Sequence, residues 1–408
     1  MHSMRILLSS DVSIHDVIGG AERVLFEQAI GLQGRGHDVH ILTRRLPEHL
    51  TDQSIIQNVC EWRYNANPSN SLSFLLSTLI NGTALFNRLQ IKYGFEFIIG
   101  HQPFSAWVVN RSSLARSLPF FYTCHSLSFE EYVSRSNKSS GFLRRGFDLI
   151  NAFLLKQIEK HIINEAQRII VLSKFTHKKL MTIYEIDQEL ISIIPGGVDI
   201  HKFSPARDRN AIRNRLRLPP DRFILLTVRN LVPRMGLENL IDAMRSVVNA
   251  VPEICLVVGG TGPLKSSLVK RRDDMGLHDH VLFTGFIPET DLPDYYRAAD
   301  IFVLPTIELE GFGLVTLEAL ASGTPVLGTP IGGTQEILGQ LDKKYLFRDV
   351  HPDALAELII ETSRSFIEHP EEWQTVSLQC RQFVEQHYTW ERNINALEKV
   401  LTHVRDLR

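Results

Sequence analysis

The sequence predicts an α/β chain of two halves, each a parallel sheet with helices on both faces. Three observations carry that prediction. Short apolar runs alternate with helix-like segments from end to end, the alternation repeats in both halves, and proline and glycine interrupt it near the middle.

In the first half the strand-like runs are Ile6–Leu8, Val39–Leu42, Phe97–Ile99, Phe120–Tyr122 and Ile169–Leu172. The second half repeats the style with Phe223–Thr227, Ile254–Val258, Val281–Phe283, Ile301–Leu304 and Pro325–Leu327. Continuous apolar runs of this length suit strands buried on both faces. The break falls at Pro195-Gly-Gly-Val-Asp199 and Phe203-Ser-Pro205, which puts a hinge at residues 196–206 and a cleft between two similar halves.

At 408 residues the chain is long enough for two domains with cores of their own. The four cysteines, Cys60, Cys124, Cys255 and Cys380, are far apart and form no Cys-x-x-Cys pair, which points to a reducing compartment and no zinc site. The net charge of −2 divides into +2 for residues 1–200 and −4 for the rest, too little basic excess in either half for a nucleic-acid partner. The amino terminus runs straight into the first strand, so no secretion signal is expected. Polar and charged residues interrupt the most apolar windows, Asn81, Asn87 and Arg88 in 74–89 and Lys156, Glu159 and Lys160 in 147–163, so neither spans a bilayer.

The most informative stretch is Glu310-Gly-Phe-Gly-Leu-Val-Thr-Leu-Glu318. An apolar run ending at Pro305 feeds it, and Gly323 and Pro325 close the helix that follows. A helix entered through Gly311 and Gly313 presents unpaired N–H groups and its positive dipole end, a site for phosphate oxygens. Glu310 stands outside that end, while Glu318 stands about 6 Å along the axis from Leu314. One carboxylate can meet a group beyond the phosphates and the other a ribose.

This arrangement resembles the retaining glycosyltransferases of family GT4, which carry a Glu-x7-Glu motif in the GT-B architecture. The resemblance implies two Rossmann-like, doubly wound domains facing each other across a cleft: an acceptor-binding domain at 1–200 and a nucleotide-sugar-binding domain at 206–387. It further implies that a last helix, 388–408, crosses back onto the first domain from Tyr388-Thr-Trp390.

Carried over residue by residue, the resemblance gives Glu310 the donor sugar, Glu318 the ribose, and the amides of Gly311, Phe312, Gly313 and Leu314 the phosphates. His125, at the carboxyl end of a strand, resembles the histidine that reaches the transferring sugar. Gly19 and Gly20 open a helix running to Gly34 or Gly36, beside the donor diphosphate in this family. Gly262 belongs to a Gly-x-Gly-Pro turn, where backbone must approach neighbouring loops closely. Phe286 lies in the segment whose backbone reads the base. Gly332 and Gly333 resemble the family's second glycine turn.

The loop from Arg229 to Gly236 departs from the pattern. Most relatives have an arginine, four residues, then Lys-Gly, and those cations neutralise the diphosphate. Aligned on Gly236, Met235 takes the lysine position and Asn230 the arginine position, while Arg234 and Arg229 each stand one residue earlier. A well-placed donor to a departing oxyanion contributes roughly 3 to 4 kcal/mol, so Arg234 is expected to replace the lysine if the loop turns it inward. Asn230 can hydrogen-bond a phosphate without supplying charge.

The expected activity is transfer of a hexose-type sugar from a UDP- or GDP-sugar to a saccharide or lipid-linked acceptor, with no metal and no cofactor. No Asp-x-Asp triplet occurs, in agreement with metal independence. Two alternatives stay open: a catalytically weak sugar-nucleotide sensor, prompted by positions 230 and 235, and a GT-B epimerase. The expected location is cytoplasmic. Residues 135–161 hold six Lys or Arg among many apolar residues, against Asp148 and Glu159. They suit either peripheral contact with an anionic membrane at its inner face or a packed helix with a solvated basic side.

Overall fold

The computed structural model describes residues 3–15, 19–46, 49, 51–136 and 142–406. The chain divides into two compact units, Met1–Gly196 with Trp390–Arg408, and Gly197–Thr389.

In the first unit the order is β1 (Arg5–Ser9), α1 (Gly20–Gly34), β2 (Asp38–Arg44), β3 (Gln53–Ile56), β4 (Val59–Tyr64), α2 (Ser71–Tyr93) and β5 (Phe97–Gly100). Then come α3 (Pro103–Asn110), β6 (Phe120–Cys124), α4 (Ser128–Ser136), α5 (Phe142–Glu165), β7 (Arg168–Val171), α6 (Lys174–Tyr184) and β8 (Ile191–Ile193). Among the described residues they make one sheet of eight strands, ordered β3-β4-β2-β1-β5-β6-β7-β8.

All pairings are parallel except β3 on β4, an antiparallel edge. Three strands, β3, β4 and β8, carry no signal in the sequence. Gln53–Ile56 and Val59–Tyr64 mix polar with apolar residues, and β8 is only three residues long, so none stands out as an apolar run.

Side chains alternate across the strands as the pleat requires. Leu7 and Ile98 enter the core on the side of α2, α3 and α5, while Ile6, Leu8, Phe97 and Ile99 enter the core on the side of α1. The final helix, α15 (Trp390–Asp406), completes that second core with Ile394, Leu397 and Leu401. Glu398 clamps it to α1 by accepting from Arg35 Nη1 at 2.6 Å and meeting His37 Nε2 at 2.9 Å.

The second unit runs α7 (Arg209–Arg215), β9 (Phe223–Val228), α8 (Leu237–Ala250), β10 (Ile254–Gly259), α9 (Lys265–Asp274), β11 (Val281–Gly285) and α10 (Leu292–Ala298). It continues through β12 (Ile301–Leu304), α11 (Leu314–Ala321), β13 (Val326–Gly328), α12 (Gly332–Leu341), α13 (Pro352–Glu368) and α14 (Pro370–His387). The sheet is parallel throughout, ordered β11-β10-β9-β12-β13. Asp300, just before β12, takes hydrogen bonds from Arg209, Arg213 and the Ile224 N–H, tying α7 to the two central strands.

Each sheet reverses its winding once, at β1/β5 in the first unit and at β9/β12 in the second. In open α/β sheets, ligands gather outside the carboxyl ends of the strands at such a point. Among the described residues no helix is long and apolar enough to cross a membrane.

Candidate functional site

In the second unit, the loops leaving β9 and β12 meet at the switch point. Arg229 leaves β9 and Glu310 closes the loop after β12. Arg229 Nη2 lies 2.5 Å from Glu310 Oε2, and both side chains are buried. Thr306 donates its hydroxyl to the same carboxylate oxygen at 3.1 Å and sits 3.2 Å from Arg229 Nη2. The Arg229 fork also packs on the Met235 sulfur, 2.7 Å from Nη2. Met235, in the usual lysine position, is thus a buried support for the neighbouring guanidinium.

Arg234 donates to the Leu309 carbonyl at 3.0 Å, and Ile307 N–H returns a bond to the Arg234 carbonyl at 2.9 Å. The two loops are therefore knitted together on either side of the ion pair. Leu309 itself has φ +57, a left-handed conformation that costs a branched residue strain and is commonest at functional loops.

Glycine makes the close approach possible. A Cβ on Gly332 would stand 1.9 Å from the Glu310 carbonyl oxygen, and one on Gly260 would stand 1.9 Å from the Arg229 carbonyl oxygen. Gly262 approaches Leu231 in the same way, with 2.5 Å from its Cβ position to the Leu231 carbonyl oxygen. These backbones press directly on the loop that carries the guanidinium and on Glu310.

Helix α11 begins one residue past Gly313, whose φ is +89. Glu318 lies buried on it and accepts from the Tyr296 hydroxyl at 2.9 Å. Burial, reinforced by the Glu318 charge, raises the Tyr296 hydroxyl well above its ordinary pKa, so it stays a donor. Phe312 turns its ring inward, 6.1 Å from the Tyr388 ring. Asn230 is exposed, and Phe286 is 61% exposed beside Gly285 at φ +76.

The second unit thus brings together Arg229, Arg234, Glu310, Gly262 and the Gly311–Leu314 turn. Thr306 and Tyr296 escaped the sequence reading. Thr306 follows the strand-ending Pro305, the one positional signal available, while no spacing marks Tyr296.

In the first unit, His125 follows β6 and sits beside His101, which follows β5, with His125 Nε2 3.2 Å from His101 Nδ1. Burial pushes the His125 imidazole down to about 4 and holds His101 well below its ordinary value, so both rings are neutral. Asp11, past the end of β1, accepts from the N–H groups of Phe104 and Ser105 at the start of α3, and burial raises its carboxyl to about 6. Gly19 precedes α1, and Glu22 Oε2 lies 2.6 Å from where a Gly19 Cβ would be. An anion at the Gly19–Gly20 turn would therefore share the helix end with a carboxylate.

On α5, Leu149, Ile150, Phe153 and Leu154 are exposed, at 69%, 57%, 60% and 48%. Of the basic residues expected to meet a membrane, Lys138 lies outside the described residues.

Residues 18–202 match the family described as Glycosyltransferase Family 4, and residues 208–375 match Glycosyl transferases group 1. The chain belongs to glycosyltransferase family GT4. A GDP-mannose-dependent α-(1-6)-phosphatidylinositol monomannoside mannosyltransferase of Mycobacterium tuberculosis is 36% identical over 187 residues, 43% of this chain and 48% of the relative. The match thus spans about half of that relative's length.

Two solved structures share the GT-B fold over nearly the whole chain. The sucrose-phosphate synthase of Thermosynechococcus elongatus superposes with a TM-score of 0.81 at 24% identity, covering 99% of this chain and 100% of that one. Anabaena HepE in complex with UDP-glucose gives 0.75 at 19% identity, covering 98% and 100%.

Proposed function

We propose that this GT4 chain transfers a hexose-type sugar, with retention, from a UDP- or GDP-linked donor to an acceptor hydroxyl. The observation that carries the reading is the buried Arg229–Glu310 pair at the β9/β12 switch point, one turn away from the α11 amides. Leaving-group oxygens gain negative charge as the glycosidic bond breaks, so a guanidinium and aligned N–H groups stabilise the transition state more than the ground state. We assign phosphate neutralisation to Arg229, Arg234 and the Gly311–Leu314 amides, with Asn230 as an uncharged donor. Glu310 takes a hydroxyl of the donor sugar, and Glu318, oriented by Tyr296, takes the ribose.

The first unit binds the acceptor and offers His125 to the sugar being transferred. The partner assigned to the exposed apolar face of α5 is an anionic lipid surface, which suits a lipid-linked acceptor. The names of the relatives support both donor bases: the mycobacterial mannosyltransferase is GDP-mannose-dependent, and HepE is seen with UDP-glucose.

The exposed Asn230 and buried Met235 favour a second reading, a sugar-nucleotide binder with little turnover. A thermal-shift panel of UDP- and GDP-sugars, followed by nucleotide release with and without saccharide and lipid-linked acceptors, separates the two. Acceptor-dependent release that survives EDTA, with an unchanged anomeric configuration in the product, is expected. Tight binding without release, or loss of release in EDTA, overturns the transferase reading as stated.

A further inference from the structure

β4 carries two charged side chains where the pleat calls for apolar ones. Val59, Glu61 and Arg63 fall on one side of the strand, and Glu61 stands opposite Ile41, which belongs to the core on the side of α1. Glu61 is fully buried and Arg63 is 4% exposed. Arg63 Nε donates to Glu61 Oε1 at 2.7 Å, and the guanidinium also reaches the Thr51 carbonyl and the Ser54 hydroxyl. A buried ion pair adds little stability over well-packed apolar residues. The other hydrogen bonds of Glu61 show where it acts.

Glu61 accepts from the Ser13 hydroxyl at 2.7 Å and from the Ile14 N–H at 2.8 Å. Both belong to the loop that leaves the carboxyl end of β1, at the β1/β5 switch point. Gln102, just before α3, grips the same loop by accepting from the Ser10 hydroxyl at 2.6 Å and the Asp11 N–H at 2.8 Å. Each serine also takes the N–H two residues on, Val12 for Ser10 and His15 for Ser13, at 3.1 Å. The Ser10 N–H donates to the Leu42 carbonyl, so the N–H groups of Ser10, Asp11, Val12, Ile14 and His15 are all taken.

Amides already bound have nothing left for a phosphate. What this loop offers a ligand is side chains, and Asp11, half-buried past the end of β1, is the carboxylate among its described residues. A carboxylate accepts from hydroxyls, so the fitting partner is a neutral hydroxylated group and not an anion.

We propose that Glu61, fixed by Arg63, is a positioning residue that holds this loop so that Asp11 accepts from a hydroxyl of the sugar acceptor. The acceptor rests on the proposed function; the hold on the loop does not.

The test compares two charge-free replacements of the pair in the full-length chain. Glu61→Gln with Arg63→Met keeps an oxygen for Ser13 and Ile14, whereas Glu61→Leu with Arg63→Met removes it. Both lose the Arg63 bonds to Thr51 and Ser54 equally. In hydrogen exchange read by mass spectrometry, the first variant stays within about threefold of wild type across residues 10–15, and the second exchanges at least about tenfold faster. Ser13→Ala, which leaves the ion pair intact, loosens the same peptide and serves where the second variant fails to fold. In nucleotide release from UDP-glucose or GDP-mannose, with the saccharide or lipid-linked acceptor that the wild type uses, the second variant raises acceptor KM about tenfold and leaves donor KM unchanged. Asp11→Asn does the same, and combining it with the second variant adds less than about threefold, because the two act through one contact.

Unchanged exchange in both the second variant and Ser13→Ala, equal losses in the two charge-free variants, or fully additive KM losses overturn the proposal. A wild type that releases no nucleotide with any acceptor sinks the transferase reading, and the exchange rates still decide the hold on the loop.

Discussion

Arg229 Nη2 and Glu310 Oε2 stand 2.5 Å apart with both side chains buried, and the two residues lie on different loops, one after β9 and one after β12. Breaking such a pair strands a buried charge, which costs about 3–5 kcal/mol. Arg229→Leu should therefore lower unfolding stability by about 3 kcal/mol, and adding Glu310→Gln should recover more than half of that loss. Both variants should fail to transfer sugar. Denaturant titrations of the four-member cycle check this; strictly additive losses would mean the two side chains are not energetically coupled.

Tyr296 fixes one oxygen of Glu318. Tyr296→Phe deletes that donor inside the second unit, at a cost of about 1–3 kcal/mol. Nucleotide binding should weaken about fivefold, about one hydrogen bond's worth, with turnover at saturating donor changed less. Calorimetric titration with UDP and GDP reads the change, and unchanged affinity for both nucleotides would remove Glu318 from the ribose.

The turn and helix that carry Glu310 and Glu318 were legible in the sequence because their signals are local: glycines at the entry, a glycine at the exit and a fixed spacing. The sheets were legible wherever strands are apolar on both faces, as in Ile254–Gly259, and illegible at the half-polar β3 and β4. The partners of the site residues were not. Arg229 finds Glu310 across 81 positions of chain, and Tyr296 finds Glu318 across 22, through strand order that no local pattern encodes. The Met235 departure looked like a lost cation, whereas the sulfur supports the Arg229 fork from below.

Gly332 holds the Glu310 backbone in place by having no side chain. At φ +59 an alanine is strained by about 1–2 kcal/mol, and its Cβ would fall 1.9 Å from the Glu310 carbonyl oxygen, so the loop must move. Gly332→Ala should abolish transfer and cost more stability than Gly276→Ala, where φ is +69 but nothing lies within 4 Å. Comparing melting temperatures and turnover of the two variants isolates the clash from the backbone strain. Equal losses would show that the contact with Glu310 is dispensable.

Glu159 on α5 is fully buried, accepting from the Tyr184 hydroxyl at 2.7 Å and the Ser128 N–H at 3.1 Å. Burial raises its carboxyl from 4.5 to about 7 despite those two bonds. The folded chain therefore holds this proton more tightly than the unfolded chain, and the resulting stability is complete below about 4.5 and lost as pH rises through about 7. Relative to Glu159→Gln, the wild type should lose about 3 kcal/mol between pH 4 and pH 8. Parallel pH profiles for the two proteins would contradict the raised value.

Leu149, Ile150, Phe153 and Leu154 recur at the spacing that puts residues on one side of a helix, and all four are exposed on α5. A stripe of that size is unusual on a surface facing only water. The segment from 135 to 161 carries six basic residues against two acidic ones, one of which is the buried Glu159. Inserting a large apolar side chain into the lipid boundary is worth about 1.5–3 kcal/mol, and each nearby cation about 1 kcal/mol on an anionic surface. The chain should therefore float with phosphatidylglycerol vesicles and not with phosphatidylcholine alone. Leu149→Glu with Phe153→Glu should abolish flotation at any salt, whereas Arg144→Glu with Arg145→Glu should weaken it most at low salt, where charge is least screened. A parent chain that never floats, yet sediments as a dimer split by Phe153→Glu, would assign the stripe to a second copy of the protein instead of a membrane.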